Sequence, residues 1–435
     1  MKKRHHEEIR RSQLVRTFGP GAMVDLPNHS IVVSGLDSWF PAAEMPVVVE
    51  ERLSLKVANV LGLSKPVPLK GPPVVADDER SAATGVPAFQ FPEWFVVQVN
   101  AKRRPLVHLD SLQKGKYEVD RKKVPAVPVR FVQACVLGHL ADVDWRNYIH
   151  RYRPGCARPI WMEERGSSGD LADVVVGCEC GEERSMAQAT RRGAENLGEC
   201  TGGRPWLGRH GGERCGGESG KKQLARLLVR SASDAYFAQV LSVISLPDRG
   251  SVVRDAVAKV WENFLSLVEE QGELAKERKR PAVKAALDGL TDEEVWAEIG
   301  RRKGGAPAKV EKIKEVELAT LLSVKEKLGE GFHGGHDFLA RRLALTGVSG
   351  PMKALERVVL VDRLREVTAQ VGFTRFEAQT ADIDGELSLD VRTAPLAAEV
   401  KWVPAVENRG EGIFLALDPA RVAAWLERPG VEERG

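Results

Sequence analysis

The sequence predicts an α+β chain of several domains with a cysteine-rich, zinc-ribbon-like insertion. Three observations carry that expectation. All six cysteines of the 435 residues lie between Cys135 and Cys215, among crowded glycines. Strand-like apolar runs precede them, and a helical apolar period follows them. The chain is also too long for one core of ordinary size, so two or three folded parts are needed. The expected segments are 1–130, mixed strand and helix; 131–222, cysteine-rich and metal-binding; 223–350, helical; and 351–435, a C-terminal α/β region.

The elements follow in order. Phe18-Gly19-Pro20-Gly21 is a rigid bend, and Ile31-Val32-Val33 is a short strand after the turn-forming Pro27-Asn28-His29-Ser30. Leu53, Val57, Val60 and Leu61 space a helix over about 50–62. A Pro- and Gly-rich loop covers 64–87. Two strand-like runs come next, Trp94 to Val99 and Val127 to Val132. The basic stretches between them, Arg103-Arg104, Lys114 to Lys116 and Arg121-Lys122-Lys123, are expected as solvated turns, with a nucleic-acid contact as the alternative. After the cysteines, Val240 to Ile244 is an apolar run ended by Pro247. Val253, Val257, Val260, Trp261, Phe264, Leu265 and Val268 mark a helix from 252 to 270. Thr291-Asp292-Glu293-Glu294 has the form of a capping box, with Leu290 and Val295 as its staple. A further helix is expected near 309–328, then strands at Val358 to Val361 and Ile413 to Leu415, then a helix at about 419–427.

Composition narrows function. The chain is 43% hydrophobic and 29% charged, with a net charge of only +3. That excludes binding nucleic acid through gross charge alone and leaves room for a local basic patch. No apolar run approaches the roughly 18 residues that cross a bilayer. The charged start, Met1 to Glu8, has no apolar stretch behind it, so no secretory signal is expected and a cytoplasmic location is. Thiols stay reduced there, which favours metal over disulfides.

The leading metal set is Cys178, Cys180, Cys200 and Cys215: Cys-x-Cys, 19 residues, then Cys-x14-Cys. Four thiolates enclose zinc with no open position, so the expected role is structural. Cys135-x3-His139, His150 and Cys156 are also ligand types. Cys135 is expected as a core thiol and the two histidines as local hydrogen-bonders, with a second or mixed site as the alternative. His333-Gly334-Gly335-His336-Asp337 is expected as an exposed loop. Gly216 to Lys222 falls short of a nucleotide-binding loop: position 215 is Cys where glycine is required, and Lys222 stands where Ser or Thr would hold magnesium. Gly-x-Ser-x-Gly and His-Glu-x-x-His are both absent from the sequence. Arg363 to Val367 with Gly372 to Arg375 is expected as a short amphipathic helix entering a turn. A phosphate-touching or partner-touching surface is the alternative there. Arg204, Trp206, Arg365 and Arg375 are the candidate contact residues.

Several segments together resemble one family. These are Arg10 to Ala22 with Val24-Asp25-Leu26-Pro27; Pro128 to Val132 through Cys135, with Gly138-His139 and Asp144-Trp145; Arg204-Pro205-Trp206-Leu207; Arg363 to Val367 with Gly372 to Arg375; and Gly410 to Leu415. Their order and spread resemble DrmB proteins of the DISARM anti-phage system. The resemblance implies a non-catalytic subunit that works beside a DrmA-like helicase ATPase in a complex engaging foreign DNA. It also implies a further C-terminal domain, expected either as a separate polypeptide or as a part that a shortened form lacks. The alternatives are a zinc-dependent, nuclease-like enzyme and a stand-alone DNA-binding module.

Overall fold

A computed structural model describes residues 9–26, 29–39, 45–73, 85–151, 153, 155–166, 169–191, 196–208, 211–216, 223–246, 249–304, 312–329, 337–346, 349–378 and 393–432. His333 to His336 and most of the Gly216 to Lys222 stretch fall outside these residues. The chain forms two compact units, each assembled from separated stretches. The first comprises Met1–Val49, Val57–Leu241 and Thr368–Val406; the second comprises Glu50–Lys56, Ser242–Val367 and Glu407–Gly435. Helix and strand mix in both, as the α+β expectation requires.

In the first unit the largest sheet has seven strands. Its order is Glu183–Ser185, Val174–Cys178, Ile160–Glu164, Arg104–His108, Trp94–Val97, Lys122–Pro128 and Lys116–Val119. Every pairing in it is antiparallel. The Val174–Cys178 strand is buried along its whole length, which suits its continuous apolar run. Gly177 sits opposite Trp161, and a Cβ at that glycine would come within 2.2 Å of the indole. The missing side chain lets the ring lie across the strand beside Cys178. Trp145, Tyr148, Ile149, Met162 and Val176 fill the core between this sheet and the helix Trp145–His150. Two small sheets complete the unit: Met23–Leu26, His29–Val33 and Ala88–Gln90; and Leu140–Ala141, Phe131–Ala134 and Arg226–Val229. A second core collects Trp39, Trp206, Phe373, Leu396 and Trp402.

The expected run from Val127 to Val132 divides into two strands of different sheets, ending at Pro128 and restarting at Phe131. Proline has no N–H to continue a ladder. At the break the Arg230 guanidinium donates to the Val129 carbonyl at 2.8 Å.

In the second unit, helices Arg249–Val260, Gln271–Glu277, Pro281–Ala286 and Asp292–Gly304 surround Val257, Leu265, Leu274, Val283, Val295 and Ile299. The predicted long helix closes in a π-helical turn, Trp261–Leu265. The capping box forms: the Glu294 N–H donates to Thr291 Oγ1 at 3.3 Å, and the Thr291 N–H donates to Glu294 Oε2 at 2.9 Å. Strands Lys327–Leu328 and Phe338–Leu343 add to the start of the strand Leu355–Thr374. That strand absorbs Arg363 to Val367, which the sequence suggested as a helix. Its β-branched density, with Val358, Val359, Val361, Val367, Thr368 and Val371, fits a pleated, buried surface better than a helix. Among the described residues no helix is long and apolar enough to cross a membrane.

Candidate metal centres

The four cysteines expected to share one ion do not converge. The structure divides them between two clusters, each completed by one of the other cysteines and by a histidine. The first is Cys135, His139, Cys200 and Cys215; the second is His150, Cys156, Cys178 and Cys180. In each, the four donor atoms lie within 4.8 Å of one another. Tetrahedral ligands about 2.1–2.3 Å from a zinc-sized ion stand roughly 3.5–3.8 Å apart, so a small inward movement of the side chains closes either set.

Local chain geometry builds the first cluster. Cys135 follows the strand Phe131–Ala134, and the chain reverses at once: the Gly138 N–H donates to the Cys135 carbonyl at 3.0 Å, and the Cys135 N–H to the His139 carbonyl at 3.1 Å. Gly138 takes φ +82°, and a Cβ there would meet Ala394 at 2.5 Å, so only glycine makes this reversal without strain. The turn presents the Cys135 thiol and the His139 ring together, Sγ to Nδ1 at 3.3 Å. The other ring nitrogen, Nε2, lies 3.0 Å from Glu213 Oε1. A histidine that donates from Nε2 to a carboxylate keeps Nδ1 for a metal. Arg204 pairs with the same Glu213 carboxylate. Cys200 accepts the Gly202 N–H at 3.4 Å. Cys135, Cys200 and Cys215 are all buried around Leu137.

The second cluster sits where a helix end meets a strand end. Asp144 caps the helix Trp145–His150 by accepting the Asn147 N–H at 3.1 Å. His150, its last residue, places Nδ1 2.7 Å from the Arg146 carbonyl and Nε2 3.3 Å from Cys180 Sγ. The backbone contact assigns the proton to Nδ1 and leaves Nε2 for a ligand role. Cys178 ends the buried strand Val174–Cys178. The chain then turns through Glu179-Cys180-Gly181, with the Gly181 N–H donating to the Cys178 carbonyl at 3.0 Å. Cys156 Sγ stands 3.5 Å from Cys178 Sγ. Cys180 is exposed and Cys156 half-buried, so this set is the more open to solvent.

Each cluster concentrates negative charge on one sulfur. A hydrogen bond from the Cys200 thiol, joined by His139, lowers Cys135 to about 4. The same bond, with burial, raises Cys200. Burial opposes a charge on His139, yet the neighbouring Cys135 thiolate and Glu213 raise it above its ordinary value. In the second set, the Glu182 N–H lowers Cys180 to about 7, while burial pushes Cys178 up to about 11. A divalent cation replaces the shared protons and lets all the sulfurs ionise. The signal for both histidines was present in the sequence as Cys135-x3-His139 and as His150 ahead of Cys156. In sequence alone that pattern reads as readily as a core thiol with locally hydrogen-bonded histidines.

Of the candidate contact residues, Trp206, Arg365 and Arg375 are placed inward and Arg204 is half-buried. The Trp206 side chain is fully buried; its indole N–H donates to the Pro395 carbonyl at 3.0 Å, and its ring meets Phe373 edge-on at 5.1 Å. Arg375 is 1% exposed. It donates to the carbonyls of Gly138 at 3.1 Å, Ala235 at 2.5 Å and Gly21 at 2.7 Å. Arg365 is buried in the second unit against Glu407 at 2.6 Å and Ser245 Oγ at 2.8 Å. Arg204 is engaged with Glu213. These side chains stabilise the interior, and Arg204 and Arg375 brace the first cluster.

Comparison with known proteins adds a family. Residues 10–237 match the model of a domain of unknown function, DUF8724. Over 357 residues the chain is 24% identical to the DISARM protein DrmB of Bacillus paralicheniformis, covering 79% of this chain and 61% of that protein. The chain therefore spans about three-fifths of the length of this relative. The DUF8724 match contains both clusters and takes in all eight of their donors. This chain belongs to the DUF8724 family and is a distant relative of DISARM protein DrmB, the family its sequence resembles.

Proposed function

We propose that this protein is a non-catalytic, zinc-stabilised subunit of a bacterial anti-phage defence complex, associated with a helicase-like, DrmA-like ATPase and helping to engage foreign DNA. The observation that carries the reading is the pair of closed donor sets, each of three cysteines and one histidine, inside the region of the family match. Three thiolates and an imidazole favour zinc over the oxygen-seeking cations. Four protein donors leave no position for a reacting water, so the ion in each set is a structural fastener. When bound, it supplies cross-linking of chain segments that are far apart in sequence. Cys135, His139, Cys200 and Cys215 tie the turn after the strand Phe131–Ala134 to the glycine-rich stretch. His150, Cys156, Cys178 and Cys180 tie the Trp145–His150 helix to the large sheet. The kinship with DISARM protein DrmB supports the defence role. The motor in this reading lies in the partner.

The test is metal analysis and co-purification on the full chain. Two equivalents of zinc are expected, with one lost in Cys135→Ser and the other in Cys178→Ser. The natural chain is expected to capture a co-expressed helicase-like, DrmA-like subunit. A nuclease activity that disappears in either variant while the fold survives would overturn the non-catalytic reading.

A further inference from the structure

The net charge of the whole chain is +3, and one short hairpin carries as much. Between Gln113 and Lys123 stand five cations, Lys114, Lys116, Arg121, Lys122 and Lys123, against two anions, Glu118 and Asp120. All seven are exposed. The hairpin pairs Lys116–Val119 with Lys122–Pro128, and Lys116–Val119 is the terminal strand of the seven-stranded sheet. Among the described residues none of the five cations has an ion-pair partner; Lys123 makes one neutral contact, to Gln113 Oε1 at 3.2 Å. The basic pair Arg103-Arg104, at the start of the strand Arg104–His108, differs. Arg103 lies 3.8 Å from Glu163 and 3.6 Å from Glu183, and Arg104 lies 3.2 Å from Glu164. Its charge is compensated, and the hairpin's is not.

The backbone supplies an independent observation. Tight two-residue reversals bound the strand Lys116–Val119 at both ends. Lys114 and Gly115 take φ +51° and +73°, and Asp120 and Arg121 take +48° and +63°. Turns with both central residues left-handed favour Asn-Gly or Asp-Gly, because a Cβ crowds the backbone there. Lys114 and Arg121 occupy such positions against that preference, so a cation is kept at each end of the strand at a cost in local comfort. The ribbon is also rigid. Tyr117, Val119 and Val124 pack on Phe95, Val97 and Ala126, which leaves Lys116, Glu118, Lys123 and Pro125 outward. That outward face lacks the aromatic anchors on which protein interfaces centre.

We infer that this hairpin, from Lys114 to Lys123, is a contact surface for the phosphate backbone of a nucleic acid. The choice of DNA as the polyanion rests on the defence-complex reading above; the uncompensated charge and its geometry do not.

The experiment measures binding of the full chain to a labelled DNA duplex as a function of salt. The combined variant Lys116→Gln, Lys122→Gln, Lys123→Gln is expected to weaken binding at least about tenfold at about 50 mM salt. It should also flatten the plot of log affinity against log salt by about 2 to 3, roughly one unit for each phosphate no longer neutralised. Arg121→Gly is expected to weaken binding while its melting midpoint stays at or above that of the natural chain, since glycine adopts the left-handed turn without strain. A residue kept for stability alone would move the midpoint down and leave binding unchanged. Unchanged affinity and slope in the combined variant, no duplex binding by the natural chain, or equal binding of polyglutamate would each overturn the assignment. Capture of the helicase-like subunit is scored separately. If the natural chain fails to capture it but the hairpin variants lose DNA, the subunit reading fails and the hairpin stands.

Discussion

Arg375 is buried with its charge compensated by three backbone carbonyls, those of Gly21, Gly138 and Ala235. Burial depresses its basicity, to about 10, and the carbonyls retain the cation. One of them belongs to the reversal that aligns Cys135 with His139. Arg375→Ala therefore leaves buried acceptors without donors, at about 1–3 kcal/mol each, and opens a cavity. Urea unfolding should show a loss of about 3 kcal/mol or more, accompanied by loss of metal from the first cluster; a loss under about 1 kcal/mol would refute the role. Asp142 is a second residue with a testable state. Its Oδ2 accepts the Glu93 N–H at 3.0 Å, while Oδ1 is buried without a partner. Burial raises this carboxyl from 3.8 to about 7. The folded state thus holds a proton that the unfolded chain releases near pH 4. Stability from this group is fully present below about pH 4 and is lost as pH rises to about 7. Asp142→Asn should flatten the stability profile between those limits, and an unaltered profile would count against the shift. Neither residue was legible as structural from sequence. An arginine or aspartate in a polar-looking segment resembles a surface group until its neighbours are known.

At the scale of elements, the junction of the strands Ile160–Glu164 and Val174–Cys178 decides where Cys178 points. Gly177 permits the Trp161 ring to cross the ladder at that level. Gly177→Ala forces the ring or the strand aside, with an expected cost of about 1–3 kcal/mol and weaker metal retention by the second cluster. The check is thermal unfolding alongside metal content; full stability with full metal would show that the crossing is not needed. Much at this scale was readable in advance. The capping box at Thr291 and Glu294 formed because both partners lie within one helical turn. The short strand His29–Val33, the helix Glu51–Val60 and the helix Pro419–Leu426 fall where period and turn residues placed them. The strand Leu355–Thr374 did so in part: it contains Val358 to Val361 as expected, but it also runs through Arg363 to Val367, which were expected as helix. That charged middle has an apparent helical period, and its sheet pairing, with Phe338–Leu343 as far as Leu364, is made by another segment of the chain.

For the whole molecule, the two clusters are nested along the chain. His150, Cys156, Cys178 and Cys180 all lie between His139 and Cys200, so the first cluster closes a loop that contains the second. The inner set carries the exposed Cys180 and the half-buried Cys156; the outer set is enclosed. A chelator should therefore remove one equivalent of metal early, with the fold retained, and the other only as the first unit unfolds. Metal release followed against near-UV circular dichroism measures this, and release of both equivalents at one rate would contradict it.

By itself the sequence determined that the cysteines gather in one stretch with metal-ligand chemistry, that helix and strand mix, and that the chain resembles DrmB proteins. Those properties follow from residue type, local spacing and order along the chain. The tertiary structure alone decided that the cysteines divide into two sets, that each recruits a histidine, and that Trp206, Arg365 and Arg375 face inward. Each of these depends on which distant segments meet, since a ligand set is defined by convergence in space and a buried cation by the carbonyls folded around it.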